Sequence, residues 1–118
     1  MNLIKMYPAA ANSKATVTLG VLDQNTTSVE VLDATVLPEA PNLLVLGTDQ
    51  TAETVLMTAK ENNTLTIQRA VQGIAKSWPA GTQIARNFTA KDFDDMRVNL
   101  ENINSGLATY YDSLEKLV

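Results

Sequence analysis

The chain has 118 residues, 45% of them hydrophobic and 19% charged, with a net charge of −4. It contains no Cys and no His, which excludes disulfide scaffolds, thiolate or imidazole metal sites, and Ser-His or Cys-His nucleophile pairs. Nine basic residues against thirteen acidic ones leave no basic footprint for nucleic acid. No stretch approaches the roughly 18 apolar residues of a membrane span. The opening MNLIKMYPAAANSK is broken by Lys5 and Pro8, unlike a signal-peptide h-region. The expectation is one mainly β domain with a C-terminal helix, no cofactor, no nucleic-acid or membrane partner, and no enzymatic activity.

The first 14 residues form an expected N-terminal arm. Its apolar side chains, Leu3, Ile4, Met6 and Tyr7, suit either an attachment strand that pairs with a neighbour or a frayed end packed on its own domain.

Residues 15–88 are expected to form a small antiparallel sandwich or barrel. Residues 15–22 (ATVTLGVL) and 28–32 (SVEVL) are short strands, with Gln24 to Thr27 as their hairpin loop. Residues 33–42 hold Pro38 and Pro41, which cannot donate to a ladder. They read as a helical turn capped by Asp33, then an extended connection with Leu37 as a plug. The continuous run LLVL (43–46), ended by Gly47, predicts a strand buried on both faces. Residues 54–59 and 64–68 flank Asn62-Asn63, where Asn suits a tight hairpin turn because it tolerates positive φ. Residues 83–87 close the set. Trp78, beside Pro79, is either a lid over one barrel end or a sugar-stacking platform.

Residues 89–118 are expected to be an oligomerisation helix. Thr89 as N-cap and Asp92 at N3 form a capping-box pattern, with Phe88 and Phe93 placed as a hydrophobic staple. Asp92, Asp94 and Asp95 complement the helix dipole and otherwise read as cap and solvated face. The apolar positions step by 3 and 4 without a break. Phe93, Leu100, Leu107 and Leu114 take heptad position a; Met96, Ile103, Tyr110 and Leu117 take d. The e and g flanks are mostly polar or small: Asp92, Asn99, Gly106 and Ser113 at g, Arg97 and Asn104 at e. Asp92 and Arg97 have the spacing of an interhelical ion pair in a parallel coil.

From Phe93 to Leu117 such a helix spans about 36 Å, longer than the roughly 30 Å diameter of a domain this small. The overhanging seam calls for a partner. Leu at a, with bulky Phe93 and Tyr110, favours a trimer. Packing against its own domain, with a break near Gly106, or against an unrelated partner, is the alternative.

Chemistry-bearing patterns are weak. The acids show no pair facing across a cleft. Asp23-Gln24-Asn25 is a faint metal-loop pattern that lacks the supporting Gly and Glu, so an ordinary turn is expected there.

Three segments carry a resemblance: TTSVEVLDATVLPEAPNLLVLG (26–47), AETVLMTAKENNTLTIQRAVQG (52–73) and AKSWPAGTQIARNFTAKDFD (75–94), with MYPAAANS (6–13) ahead of them. In this order they resemble a small structural module of tailed-bacteriophage virion proteins, with Met57 and Ala59 standing where that module has Tyr and Gly. The resemblance implies a non-enzymatic virion protein of the tail, baseplate or fibre attachment, with other virion proteins as partners and no catalytic residues to carry over. A head fibre or decoration protein, and a host-surface carbohydrate-binding module acting through Trp78, are the alternatives.

Overall fold

The computed structural model describes residues 2–18 and 22–116. They fall into two compact units: one from Tyr7 to Thr89, the other made of the N-terminal segment up to Met6 with the chain from Ala90 onward. The arm expected over residues 1–14 therefore divides. Residues 2–6 lie with the helix, and Tyr7 onward belongs to the β unit.

The β unit is one curled antiparallel sheet, a half-barrel of six strands. In chain order these are β1 (Lys14–Thr16), β2 (Ser28–Glu30), β3 (Asn42–Leu46), β4 (Glu53–Glu61), β5 (Thr64–Gln72) and β6 (Gln83–Ala85). Across the sheet the order is β1-β6-β3-β4-β5-β2. The edge strands β1 and β2 meet just beyond their ends, at the Val17–Val31 bridge. Thr18 N donates to Glu30 O at 2.9 Å and Leu32 N to Thr16 O at 2.9 Å on either side of it.

The two-residue period of a strand decides which side chains point inward. In β5, Leu65 and Ile67 are buried while Thr64, Thr66 and Gln68 are exposed. Val29 in β2 and Ala15 in β1 follow the same alternation. β3 differs, as its unbroken apolar run predicts: Leu43 and Leu44 are both buried, so both faces are covered. The core gathers Val17, Val29, Val31, Leu44, Leu46, Val55, Met57, Leu65, Ile67 and Ile84, with Leu37 entering from the connection before β3.

That connection opens with a 3-10 turn over Ala34–Val36, where the Asp33 side chain accepts from Thr35 N. Lys60 Nζ then reaches the carbonyls of Ala34 and Leu37 at 3.4 and 3.2 Å, which ties the plug to β4.

Two expectations need correction. Residues 15–22 and 28–32 do not form a simple hairpin: β1 pairs with β6 and β2 with β5. The far end of the expected first strand pairs elsewhere, as Leu22 N donates to Trp78 O at 2.7 Å and Trp78 N to Leu22 O at 2.6 Å. Residues 19–21 lie outside the described residues. Second, β5 continues past the expected end at Gln68, through Arg69 to Gln72, and ends at Gly73 with φ +81°. The hairpin between β4 and β5 turns at Asn62-Asn63 as expected, with Asn62 at φ 54° and Glu61 facing Thr64.

The second unit contains a single helix, α1 (Ala90–Glu115), 26 residues long and uninterrupted at Gly106. A glycine costs about 1 kcal/mol in a helix interior, too little to break one so long.

Candidate functional site

The heptad seam of α1 is open. Of its a and d positions, Phe93, Met96, Leu100, Ile103, Leu107, Tyr110 and Leu114 each expose between 37% and 59% of their surface. Leu117, the eighth, lies outside the described residues. Near the C-terminal end, Tyr111 packs edge-on against Tyr110, with ring centroids 5.8 Å apart.

Apart from the half-buried Val98 and Gly106, the covered positions of the helix are polar. Asp92 and Asp95 are buried, and Asn99, Asn102 and Gly106 are half-buried. These follow the same 3–4 spacing as the seam and run beside it, one step toward g and c. Asp92 and Asp95 thus depart from the solvated face expected of them; Asp95 pairs with Lys91 at 2.9 Å, one turn back. Arg97 binds Glu101 on its own helix at 2.8 Å. Asp92, the acid of the expected Asp92–Arg97 pair between helices, is buried. The staple residues Phe88 and Phe93 are 71% and 52% exposed, so they bury little.

The N-terminal segment lies along this polar stripe. Asn99 grips the backbone of Ile4 from both sides: Ile4 N donates to Asn99 Oδ1 at 2.7 Å, and Asn99 Nδ2 donates to Ile4 O at 3.0 Å. One turn on, Asn102 Nδ2 donates to Asn2 O at 3.3 Å. A side-chain amide carries one acceptor and two donors, so it can replace a neighbouring strand at one residue. The segment therefore runs antiparallel to the helix, with Leu3, Ile4 and Met6 exposed at 53%, 39% and 37%. Tyr7, the last of the arm's four named apolar residues, is half-buried in the β unit. There the Tyr7 and Pro8 carbonyls accept from the Arg86 guanidinium at 3.1 and 3.0 Å, and Pro8 O also accepts from Asn42 Nδ2. Sequence reasoning missed Asn99 and Asn102. Their signal was a pair of amides three residues apart beside an apolar seam.

A second cluster, in the β unit, was also missed. Glu53, fully buried in β4, accepts four hydrogen bonds. Arg69 Nη2 and Trp78 Nε1 reach Oε1 at 2.8 and 3.0 Å; Arg69 Nε and Ala70 N reach Oε2 at 2.8 and 2.9 Å. Arg69 also donates to the carbonyls of Asp23, Thr26 and Lys76, stitching two loops to the sheet. Burial pushes the Glu53 carboxyl upward, but hydrogen bonds from Arg69, Trp78 and the Ala70 N–H outweigh it and hold it below its ordinary value. With every acceptor position filled, the carboxylate is a structural anchor.

Trp78 is 7% exposed and forms part of the core. Lys76 Nζ sits 4.2 Å from the centre of its ring. An indole this enclosed acts as a lid and offers no open face for a sugar. Asp23 Oδ1 accepts from Asn25 N at 2.8 Å and Thr26 Oγ1 at 2.9 Å, which makes residues 23–26 an ordinary Asx turn.

No protein-family model matches the chain, and no curated protein is significantly similar to it.

Proposed function

We propose that the protein is a non-enzymatic structural component of a tailed-phage virion, in the tail, baseplate or fibre attachment. In this reading the β unit docks on other virion proteins, and α1 joins copies of the chain, three for preference. The observation that carries it is the seam: seven described apolar residues in strict heptad phase, left open along a continuous helix. Side chains about half exposed still have roughly 0.7 kcal/mol each to gain from burial, on the order of 5 kcal/mol for the seven before ordering costs. The order of the three phage-like segments, from Thr26 to Asp94, supports the virion setting.

Sedimentation equilibrium of the intact chain at several concentrations tests the association. An oligomer, trimeric for preference, is expected. Leu107→Asp should dissociate it while Trp78 fluorescence stays native. A monomer at all concentrations, or loss of the β unit's fold in Leu107→Asp, would overturn the reading. Virion placement is tested by labelling assembled particles with an antibody against the β unit. Tail-tip or baseplate labelling is expected; exclusive head labelling would refute that location.

A further inference from the structure

We propose that residues 2–6 are a fixed part of the self-association surface: Asn99 and Asn102 hold them so that Leu3 and Ile4 widen the heptad seam for a second copy of this chain. The inference rests on the self-association reading above and adds a second element to it.

The seam alone is narrow. From Phe93 to Leu114 it runs about 32 Å at 1.5 Å per residue, and a helix is about 10 Å across. That is a strip only one helix wide. The N-terminal segment broadens it on one flank. Asn99 stands at g, next to the a and d positions, and its two hydrogen bonds to Ile4 fix the backbone there. Asn102 repeats the grip one turn along at Asn2. The segment's own polar groups are thereby engaged at Asn2 and Ile4, while Leu3, Ile4 and Met6 remain exposed beside an exposed seam.

The flanks suit another copy of the same surface. On the g side stand the buried Asp92 and the uncharged Asn99, Gly106 and Ser113. At e, Arg97 is balanced by Glu101 on its own helix, and Asn104 is neutral. Among the described e and g residues only Asp92 and Arg97 are charged, the first buried and the second paired, so identical helices bring no like charges together along these flanks. Asn99 is a positioning residue in this arrangement: it presents the segment rather than contacting the neighbour.

The test compares Leu3→Asp, Ile4→Asp, Asn99→Ala and Leu107→Asp with the unaltered full chain by sedimentation equilibrium, and reads amide hydrogen exchange at Ile4. Leu3→Asp and Ile4→Asp should each weaken association by about tenfold or more, as a charge placed in a desolvated contact does. Asn99→Ala should weaken it in the same direction and speed exchange at the Ile4 amide, with Trp78 fluorescence unchanged. If the unaltered chain associates and Leu107→Asp dissociates it, but the two N-terminal variants associate as before, this inference fails while the helix reading stands. If Asn99→Ala frees the Ile4 amide without weakening association, the segment is no part of the surface. A monomeric unaltered chain overturns both.

Discussion

Glu53 and Arg69 meet as two planar groups edge to edge, Nε to Oε2 and Nη2 to Oε1, both at 2.8 Å, with the Glu53 side chain wholly out of solvent. The pair links β4 to β5. Through the remaining donors of Arg69 and the Trp78 indole it also links the 23–26 turn and the 76–78 loop. Charges in such a place are tolerable because their hydrogen-bonding capacity is used in full.

Removing one partner leaves the other charge buried. Glu53→Ala is expected to destabilise the β unit by about 3–5 kcal/mol. Arg69→Lys should also destabilise it, since an ammonium cannot reproduce the two-point contact. Urea denaturation followed by Trp78 fluorescence checks both. If Glu53→Ala shifts stability by less than about 1 kcal/mol, the cluster is not the anchor described.

Acid should unfold the protein through a defined set of carboxylates. Glu53 lies below its ordinary 4.5 for the reasons above. Asp33 and Asp49 lie below 3.8 because the Thr35 and Thr51 hydroxyls, then the N–H groups of the same residues, bind the charged form. Asp23 is lowered by the Asn25 N–H and the Thr26 hydroxyl. A carboxylate whose folded pKa is depressed adds stability above its unfolded pKa and loses it as pH falls through the folded value. Stability should therefore hold down to about pH 5.5 and fall progressively below it. Denaturation midpoints across a pH series measure this. Asp33→Asn, which keeps the turn's acceptor, should flatten the acid slope; an unchanged slope would contradict the assignment.

Of Gly47, Gly73 and Gly81, Gly47 has the least room for a side chain. Its φ is +89°, and a Cβ there would lie 2.6 and 2.7 Å from the Cη2 and Cζ3 carbons of Trp78. The Trp78 ring cannot retreat without straining its bond to Glu53. Gly47→Ala is expected to cost about 2 kcal/mol or more, from the backbone conformation and the overlap together. Thermal denaturation gives the loss, and a shift in Trp78 emission should accompany it. A melting temperature equal to that of the unaltered chain would show that the lid can move away.

Local patterns made several elements legible. The alternation in SVEVL and TLTIQ placed Val29, Leu65 and Ile67 inward, because successive strand side chains face opposite ways. Asn62 took the positive φ that its tight turn needs. The unbroken heptad phase carried α1 through Gly106. The strand limits were less legible. Leu22 paired with Trp78 across 56 positions, and nothing in ATVTLGVL specifies that pairing. The polar helix stripe was misread at Asp92 and Asp95, because acids near a helix start satisfy the dipole whether exposed or buried.

What the amino-acid sequence determined by itself was periodic: inward and outward sides of the strands, the turn at Asn62-Asn63, the single long helix and its apolar edge. Each depends on residues within a few positions of one another, where backbone geometry sets the repeat. Tertiary structure alone decided which strands became neighbours, that Glu53 would face Arg69 and Trp78, and that Asn99 would hold Ile4. Those contacts join residues 16 to 95 positions apart. They form only when the whole chain has collapsed and its buried polar groups must find partners, a condition that no local pattern records.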